Sequence, residues 1–167
     1  PVKRITDIIR MFVKVKPKIK SKLLLVGEGP ERIPAQELVH DLGLRESVIF
    51  LGQQDGIDDI LSCADLYLLP SEQESFGLSA LEAMSCEVPV IGTNVGGLPE
   101  LVKHGETGYI TEVGDVEKMA FHAVNVLTDD VLQKKLGKQA RQRVLDNFAQ
   151  ESVVPQYEAY YEEVLRQ

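Results

Sequence analysis

The sequence lacks a run of apolar residues long enough to span a bilayer, and it does not open with a basic and then apolar signal segment. It has only two cysteines, Cys63 and Cys86, which form no C-x-x-C pair and stand at no metal-ligand spacing from a histidine. We therefore expect a cytoplasmic protein without a transmembrane segment, whose cysteines are small buried hydrophobic residues. The three histidines, His40, His104 and His122, are scattered among polar neighbours and predict no metal site.

Positive charge is in deficit, with 18 Lys and Arg against 26 Asp and Glu and a formal net charge of −8. Because an acidic domain repels a phosphate backbone, we expect no nucleic-acid partner. A small phosphorylated ligand stays compatible with this charge, since one local group of donors can hold it. With 167 residues, 44% of them hydrophobic, the chain fits one domain that buries a substantial core.

Short apolar runs alternate with amphipathic stretches along the chain, which predicts an α/β fold with a Rossmann-like, doubly wound parallel sheet. Each strand candidate is short and apolar, as strands buried on both faces should be. The strand candidates are 22–26, 48–51, 66–69, 89–91 and 109–110. The predicted helices are 5–15, 31–42, 57–64, 78–85, 98–104, 116–127, about 131–147 and about 151–167.

The two ends of the chain carry their own expectations. No strand precedes the first helix, whereas doubly wound domains normally begin with one, so we expect the first strand to be missing. Near the other end, Pro155 should kink the last helix or delay its start, because proline removes a backbone donor.

The strongest motif is the polar loop that follows the strand ending at Leu69 and leads into a helix near Gly77. This order places a helix N-terminus at the carboxyl end of a parallel strand, where free N–H groups and the helix dipole suit a phosphate. Glu74 in the loop and Glu82 in the helix could accept hydrogen bonds from hydroxyls at opposite ends of a sugar ligand. The alternative is that Glu74 is solvated and Glu82 only caps or pairs on the helix face.

Other loops are less specific when they are taken one at a time. The Gly96-Gly97 pair predicts a tight strand-to-helix corner, and a plain structural turn is the favoured interpretation. Residues 27–30 do not form G-x-G-x-x-G, and Pro30 lacks a donor, which excludes a nicotinamide-cofactor loop. By themselves, residues 52–55 suggest an ordinary polar loop and Lys3 suggests a surface lysine.

Taken together, eight ordered blocks resemble the C-terminal domain of the family 4 retaining glycosyltransferases, which have the two-domain GT-B architecture. The resemblance covers nearly the whole chain, and segments 1–4, 50–55 and 69–78 are most similar to members that transfer N-acetylglucosamine to L-malate in bacillithiol biosynthesis. The blocks are GEGP at 27–30, FLG at 50–52, LPS at 69–71, ESFG at 74–77, LEAM at 81–84, PVIG at 89–92, GGLPE at 96–100 and GETGY at 105–109.

The resemblance implies that residues 1–167 form the donor domain of a retaining, metal-independent glycosyltransferase that needs no cofactor. The expected donor is UDP-N-acetylglucosamine and the expected acceptor is L-malate, which the absent N-terminal domain would hold. The last helix, about 151–167, would pack back toward that domain, and the isolated chain should be inactive. Two alternatives stay open: another family member that moves glucose or mannose onto a lipid or polysaccharide, and a fragment that only binds a nucleotide.

The resemblance also implies roles for particular residues. Glu74 would contact the hydroxyls of the donor sugar, and Lys3 would neutralise the diphosphate, which makes these two the expected catalytic residues. Glu82 would bind the ribose hydroxyls. The other expected donor-binding residues are Gln53, Gln54 and Asp55 around the base, and Ser75, Phe76, Gly77 and Leu78 at the sugar and diphosphate.

Two departures from the family pattern stand out. Glu87 occupies a position where family members usually have glycine, and a positive φ there would cost about 1 kcal/mol or more relative to glycine. The arginine expected shortly before Lys3 is absent, so we expect an incomplete phosphate clamp in this chain.

Overall fold

The computed structural model describes residues 2–166. Pro1 and Gln167, the outer ends of the expected domain and of its expected last helix, lie outside the described residues. Helices and strands alternate as the sequence predicts. The elements are α1 (Ile5–Val15), β1 (Leu23–Val26), α2 (Arg32–Asp41), β2 (Val48–Gly52), α3 (Ile57–Ser62), β3 (Tyr67–Leu69), α4 (Leu78–Ser85), β4 (Val90–Thr93), α5 (Leu98–Leu101), β5 (Gly108–Thr111), α6 (Val116–Thr128), α7 (Asp130–Asn147) and α8 (Gln150–Leu165).

The described strands are all parallel and fall into two sheets. β1 pairs with β2, while β3, β4 and β5 follow one another in the second sheet. No strand pairing among residues 2–166 joins the two sheets. The predicted α/β class and its parallel pairing are confirmed.

Helices cover the strands from two sides, each over its own hydrophobic cluster. One cluster joins α1, α2 and α6, and includes Ile9 and Met119. The other joins α3, α4, α5 and α7, and includes Met84. The neighbouring residues Val90 and Ile91 of β4 are both fully buried and belong to opposite clusters. Successive side chains of a strand point to opposite faces, so this pair marks the doubly wound arrangement.

The first sheet is covered on one face only, which corrects the expectation that every strand is buried on both faces. Leu24 and Ile49 are each 41% exposed, whereas their neighbours Leu23 and Val48 are buried in the cluster beneath α1 and α2. The expectation of buried cysteines was also wrong for Cys63, which is exposed just after the last turn of α3.

Two predicted helices differ from the observed ones for backbone reasons. α5 ends at Leu101 instead of residue 104 because Val102 is extended. α8 begins at Gln150, ahead of Pro155, so the proline does not delay its start. No residue of α8 is buried, and except for the half-buried Val153 its large apolar and aromatic side chains are exposed.

Candidate functional site

The loops that matter most for a ligand lie at the carboxyl ends of the strands. We call residues 70–77 the β3–α4 loop and residues 2–4 the N-terminal segment. The N-terminal segment lies beside this loop, since the N–H of Glu72 donates to the carbonyl of Val2 at 2.8 Å. In open α/β folds this edge is where ligands bind.

The start of α4 presents unused backbone donors. Gly77 precedes the helix with φ 94°, and no side chain caps it. Within the described residues, the N–H groups of Phe76, Gly77 and Leu78 donate to no protein acceptor. Together with the positive end of the helix dipole, they form a place where an anion is stabilised.

The β3–α4 loop is fixed from below by β4 and the turn that follows it. Thr93 donates its hydroxyl to the carbonyl of the buried Ser71 at 2.5 Å, and the N–H of Gly97 donates to the carbonyl of Ser75 at 3.0 Å. A Cβ atom on Gly96 would lie 1.5 Å from the carbonyl oxygen of Glu74. The glycine pair is therefore required for close contact between the two loops, which fits its interpretation as a structural turn.

Lys3 and Glu74, the two expected catalytic residues, are in direct contact. Lys3 Nζ lies 2.7 Å from Glu74 Oε2, and the Ser71 hydroxyl donates to the same oxygen at 3.4 Å. The Glu74 side chain is only 13% exposed, whereas that of Lys3 is 53% exposed. A held carboxylate and an accessible ammonium group thus stand together beside the N-terminus of α4.

Glu82 is exposed on α4, and Tyr67 of β3 lies near it. Burial raises the pKa of the Tyr67 hydroxyl, the negative charges of Glu82 and Glu74 raise it further, and a hydrogen bond with Ser79 lowers it. Tyr67 therefore stays neutral beside both carboxylates. Sequence reasoning missed this residue, because it treated β3 only as a buried strand.

The expected base-binding residues lie on the loop after β2. Gln53, Gln54 and Asp55 are all exposed, and Gln54 Nε2 donates to the carbonyl of Leu51 at 2.7 Å. The N–H of Gly27 donates to the carbonyl of Gly52 at 2.7 Å, which joins this loop to the one after β1. In the described chain no hydrogen bond links these side chains to Glu74 or Glu82.

A second set of charged residues, which the sequence did not reveal, supports the N-terminal segment. Arg4 Nε lies 2.6 Å from Asp7 Oδ2, and Asp7 is only 3% exposed. Glu31 accepts the N–H of Ile5, the first residue of α1, at 3.2 Å. The only signal in the sequence was a charged stretch before an apolar helix, which is too common to point to a site.

Two of the histidines form an aromatic cluster away from these loops. His122 is buried and stacks on Tyr109 at 4.1 Å, and His104 meets His122 edge-on at 5.5 Å. The expectation of polar surroundings was therefore wrong for His122. Its Nε2 has no hydrogen-bond partner among the described residues. Residues 2–166 hold no group of three or more His, Cys, Asp or Glu side chains arranged to bind a metal ion.

Comparison with known proteins identifies the family. The model of the family "Glycosyl transferases group 1" matches residues 1–143. The chain belongs to this family. It is 48% identical, over 99% of its length, to N-acetyl-alpha-D-glucosaminyl L-malate synthase of Bacillus anthracis and spans 43% of that protein.

Solved structures of glycosyltransferases share the fold of this domain. Anabaena HepE in complex with UDP superposes with a TM-score of 0.91 at 25% identity, over 98% of this chain and 46% of that one. A mutant of S. aureus TarM in complex with fondaparinux, α-GlcNAc-glycerol and UDP gives a TM-score of 0.89 at 26% identity, over 95% of this chain and 33% of that one. The resemblance to a glycosyltransferase and to the C-terminal Rossmann-like domain of the GT-B fold is confirmed. The glycosyltransferase domain spans less than half the length of these relatives. None of its described helices is long and apolar enough to cross a bilayer.

Proposed function

We propose that this glycosyltransferase domain binds UDP-N-acetylglucosamine, and that the intact protein transfers N-acetylglucosamine to L-malate with retention of the anomeric configuration. The observation that carries the proposal is the contact between Lys3 Nζ and Glu74 Oε2, 2.7 Å apart, beside the open N-terminus of α4. The similarity to N-acetyl-alpha-D-glucosaminyl L-malate synthase of Bacillus anthracis and the UDP in the HepE and TarM structures support the choice of donor.

The diphosphate of the donor takes the position between Lys3 and the start of α4. Lys3 is the accessible cation, and the N–H groups of Phe76, Gly77 and Leu78 have no protein acceptor in the described chain. As the glycosidic bond to the diphosphate breaks, negative charge grows on the leaving group. A fixed cation and oriented N–H groups stabilise that charge more than they stabilise the bound substrate.

The two glutamates bind different parts of the donor beyond the diphosphate. Glu74 is held by Lys3 and Ser71, so it accepts hydrogen bonds from the transferred sugar without first losing conformational freedom. Glu82 is exposed on α4 and accepts from the ribose hydroxyls, while Gln53 and Asp55 line the base. Gln54 reaches the base only if it leaves the carbonyl of Leu51. Ser75 contacts the sugar, and its place in the loop is fixed because its carbonyl accepts the N–H of Gly97.

The transfer needs no divalent metal in this proposal. Lys3 and the N-terminus of α4 supply the positive charge that a metal ion supplies in other transferases. A cytoplasmic location belongs to the same proposal, because the free cysteines Cys63 and Cys86 suit a reducing compartment.

The acceptor is bound by a part of the protein beyond this domain, and α8 packs against that part. Apolar and aromatic side chains recur on α8 at helical spacing, and all of them are exposed: Val154, Tyr157, Tyr160, Tyr161, Val164 and Leu165. A stripe of this kind requires a partner surface in order to leave water. The relatives are long enough to include such a surface, since the domain spans 43% of N-acetyl-alpha-D-glucosaminyl L-malate synthase.

Calorimetric titration of the intact protein with nucleotide sugars, in the presence of a chelator, tests the choice of donor. We expect UDP-N-acetylglucosamine to bind and GDP-mannose not to bind. Preferential binding of UDP-glucose or GDP-mannose would instead favour a family member that builds a lipid-linked or polysaccharide product. Binding that disappears with the chelator would contradict the metal-independent mechanism.

A further inference from the structure

Three contacts join the N-terminal segment to the β3–α4 loop. The carbonyl of Val2 accepts the N–H of Glu72 at 2.8 Å, and Lys3 Nζ lies 2.7 Å from Glu74 Oε2. Arg4 adds a third contact, with its guanidinium 3.4 Å from Glu72 Oε2. Because Val2 and Arg4, the residues on either side of Lys3, both contact Glu72, the position of Lys3 relative to Glu74 depends on these two neighbours.

Arg4 is the best anchored residue of the N-terminal segment. Its Nε lies 2.6 Å from the carboxylate of Asp7, which is buried and belongs to the first turn of α1. A Cβ atom on Gly114 would lie 3.2 Å from the Arg4 guanidinium, so the side chain also lies against the turn between β5 and α6. The hydrogen bond to Asp7 raises the pKa of Arg4 above its ordinary value. Arg4 therefore connects α1, the β3–α4 loop and the turn after β5.

The backbone of Arg4 changes the direction of the chain. It has φ 50° and ψ 46°, in the left-handed region, directly before the first residue of α1. Residues with a side chain rarely adopt this conformation. The chain turns here directly before α1, and Lys3, the residue before the turn, contacts Glu74.

From this geometry we infer that Arg4 is a positioning residue for the diphosphate of the donor. It acts through Lys3. Its contacts with Asp7 and Glu72 fix the N-terminal segment, which keeps the ammonium group of Lys3 next to Glu74. The inference rests on the proposed function, because it takes Lys3 to be the group that meets the diphosphate. Nothing in the resemblance assigned a role to Arg4.

The test compares UDP with uridine as ligands of the intact protein, by calorimetry. Arg4→Gln should weaken UDP binding by roughly tenfold or more, as expected for the loss of a charged hydrogen bond, and should leave uridine binding unchanged. Lys3→Met should show the same pattern. The double variant should bind UDP no more weakly than Lys3→Met alone, because both changes remove one interaction.

Arg10→Gln is the matched control. Arg10 also faces Asp7, at 3.7 Å, but it is exposed and makes no contact with the β3–α4 loop. Its UDP and uridine affinities should stay at the wild-type level. If Arg4→Gln does not unfold cooperatively, Glu72→Gln removes the same bridge from the loop side and should show a smaller loss that is again specific for UDP.

The outcomes separate the inference from the proposed function. A wild-type protein that fails to bind UDP overturns the proposed function, and this inference with it. If the wild type binds UDP, the inference alone is overturned when a folded Arg4→Gln or Glu72→Gln variant binds UDP normally. Equal losses for UDP and uridine, or additive losses in the double variant, overturn it as well, because they indicate general damage to the fold.

Discussion

At the scale of single residues, the proposal depends on two glutamates on either side of the N-terminus of α4. Glu74 is nearly buried and contacts Lys3, whereas Glu82 is exposed and its side chain has no hydrogen bond or salt bridge to residues 2–166. Groups that are fixed before the reaction contribute to turnover, and exposed groups that meet only the nucleotide contribute to binding. The two residues should therefore fail in different ways when they are changed.

Glu82→Ala should weaken UDP binding by about 1–3 kcal/mol, the range for hydrogen bonds to a charged group. Glu74→Gln should leave UDP affinity nearly unchanged and lower turnover at saturating donor by on the order of 10²-fold or more. Calorimetry with UDP and a steady-state assay measure the two effects, and Glu106→Ala, an exposed glutamate before β5, is the control. If the wild type and Glu82→Ala lose the same factor of affinity when UDP is replaced by dUDP, Glu82 has only a structural role. Poor UDP binding by Glu74→Gln, or normal turnover, would show that the two roles are assigned wrongly.

His122 gives the domain a pH dependence that is independent of ligand binding. Burial lowers its pKa from the ordinary value, the nearby charges of His104 and Lys118 lower it further, and Asp115 raises it. The unfolded chain therefore takes up this proton first as pH falls below about 6.5. Where the unfolded state binds more protons than the folded state, the free energy of unfolding decreases as pH falls. The contribution of His122 to stability is therefore present at neutral pH and is lost as pH drops toward the folded pKa.

Urea unfolding at several pH values between about 7 and 5 should show the loss, and His122→Gln should reduce its slope. His40→Gln is the control, because His40 is exposed and its imidazole lies 3.1 Å from the carboxylate of Asp41. An unchanged slope in His122→Gln would assign the acid sensitivity to other groups.

At the scale of elements, the turn after α4 carries a strained residue where the family usually has glycine. Glu87 has φ 62°, so it has the positive φ that makes this position unfavourable for a glutamate. The same turn is packed against α7, since a Cβ atom on Gly137 would lie 2.0 Å from the carbonyl oxygen of Glu87. The close packing holds the turn in place and makes the substituted residue keep its unfavourable conformation.

Thermal and urea unfolding should therefore separate two neighbouring substitutions. Glu87→Gly should stabilise the domain by up to about 1 kcal/mol, because it relieves the left-handed strain. Gly137→Ala should destabilise it by about 1–3 kcal/mol, because α7 must move away from the turn. A destabilised Glu87→Gly variant would mean that the glutamate makes a compensating interaction.

The elements also show how far local sequence signals reach. The bounds predicted for α1 and α4 coincide with the observed ones, since their apolar spacing and, for α4, the glycine before it are local features. The early end of α5 depends on the extended backbone at Val102, which no residue type there announces. The exposed face of β1 and the left-handed turn at Arg4 depend on what packs against them, and the partners of Arg4 include Glu72, 68 residues away.

The residues of the predicted site also fall into those with a local signal in the sequence and those that depend on distant contacts. Glu74 and Lys3 came from motif and resemblance, and they lie together. The residues that hold them, Arg4, Asp7 and Thr93, lie on elements that only the folded chain brings together. Sequence reasoning therefore named the groups that we propose to contact the donor, and it missed the residues that hold those groups in place.

At the scale of the whole molecule, we propose that the domain binds the donor and that a further part of the protein binds the acceptor. α8 has an aromatic stripe without a partner surface among the described residues. In the proposed function, transfer also requires an oriented acceptor and a site that excludes water, and we assign both to a part of the protein beyond this domain. We therefore expect the domain alone to bind the nucleotide and only the intact protein to carry out transfer.

The most direct test incubates UDP-N-acetylglucosamine and L-malate with the intact protein and, separately, with residues 1–167 alone. Released UDP and the anomeric configuration of the product, read by NMR, are the measurements. The account predicts turnover by the intact protein to an α-linked product, and UDP binding without turnover by residues 1–167. Turnover by the isolated domain, an inverted product, or no malate-dependent UDP release by the intact protein would contradict it.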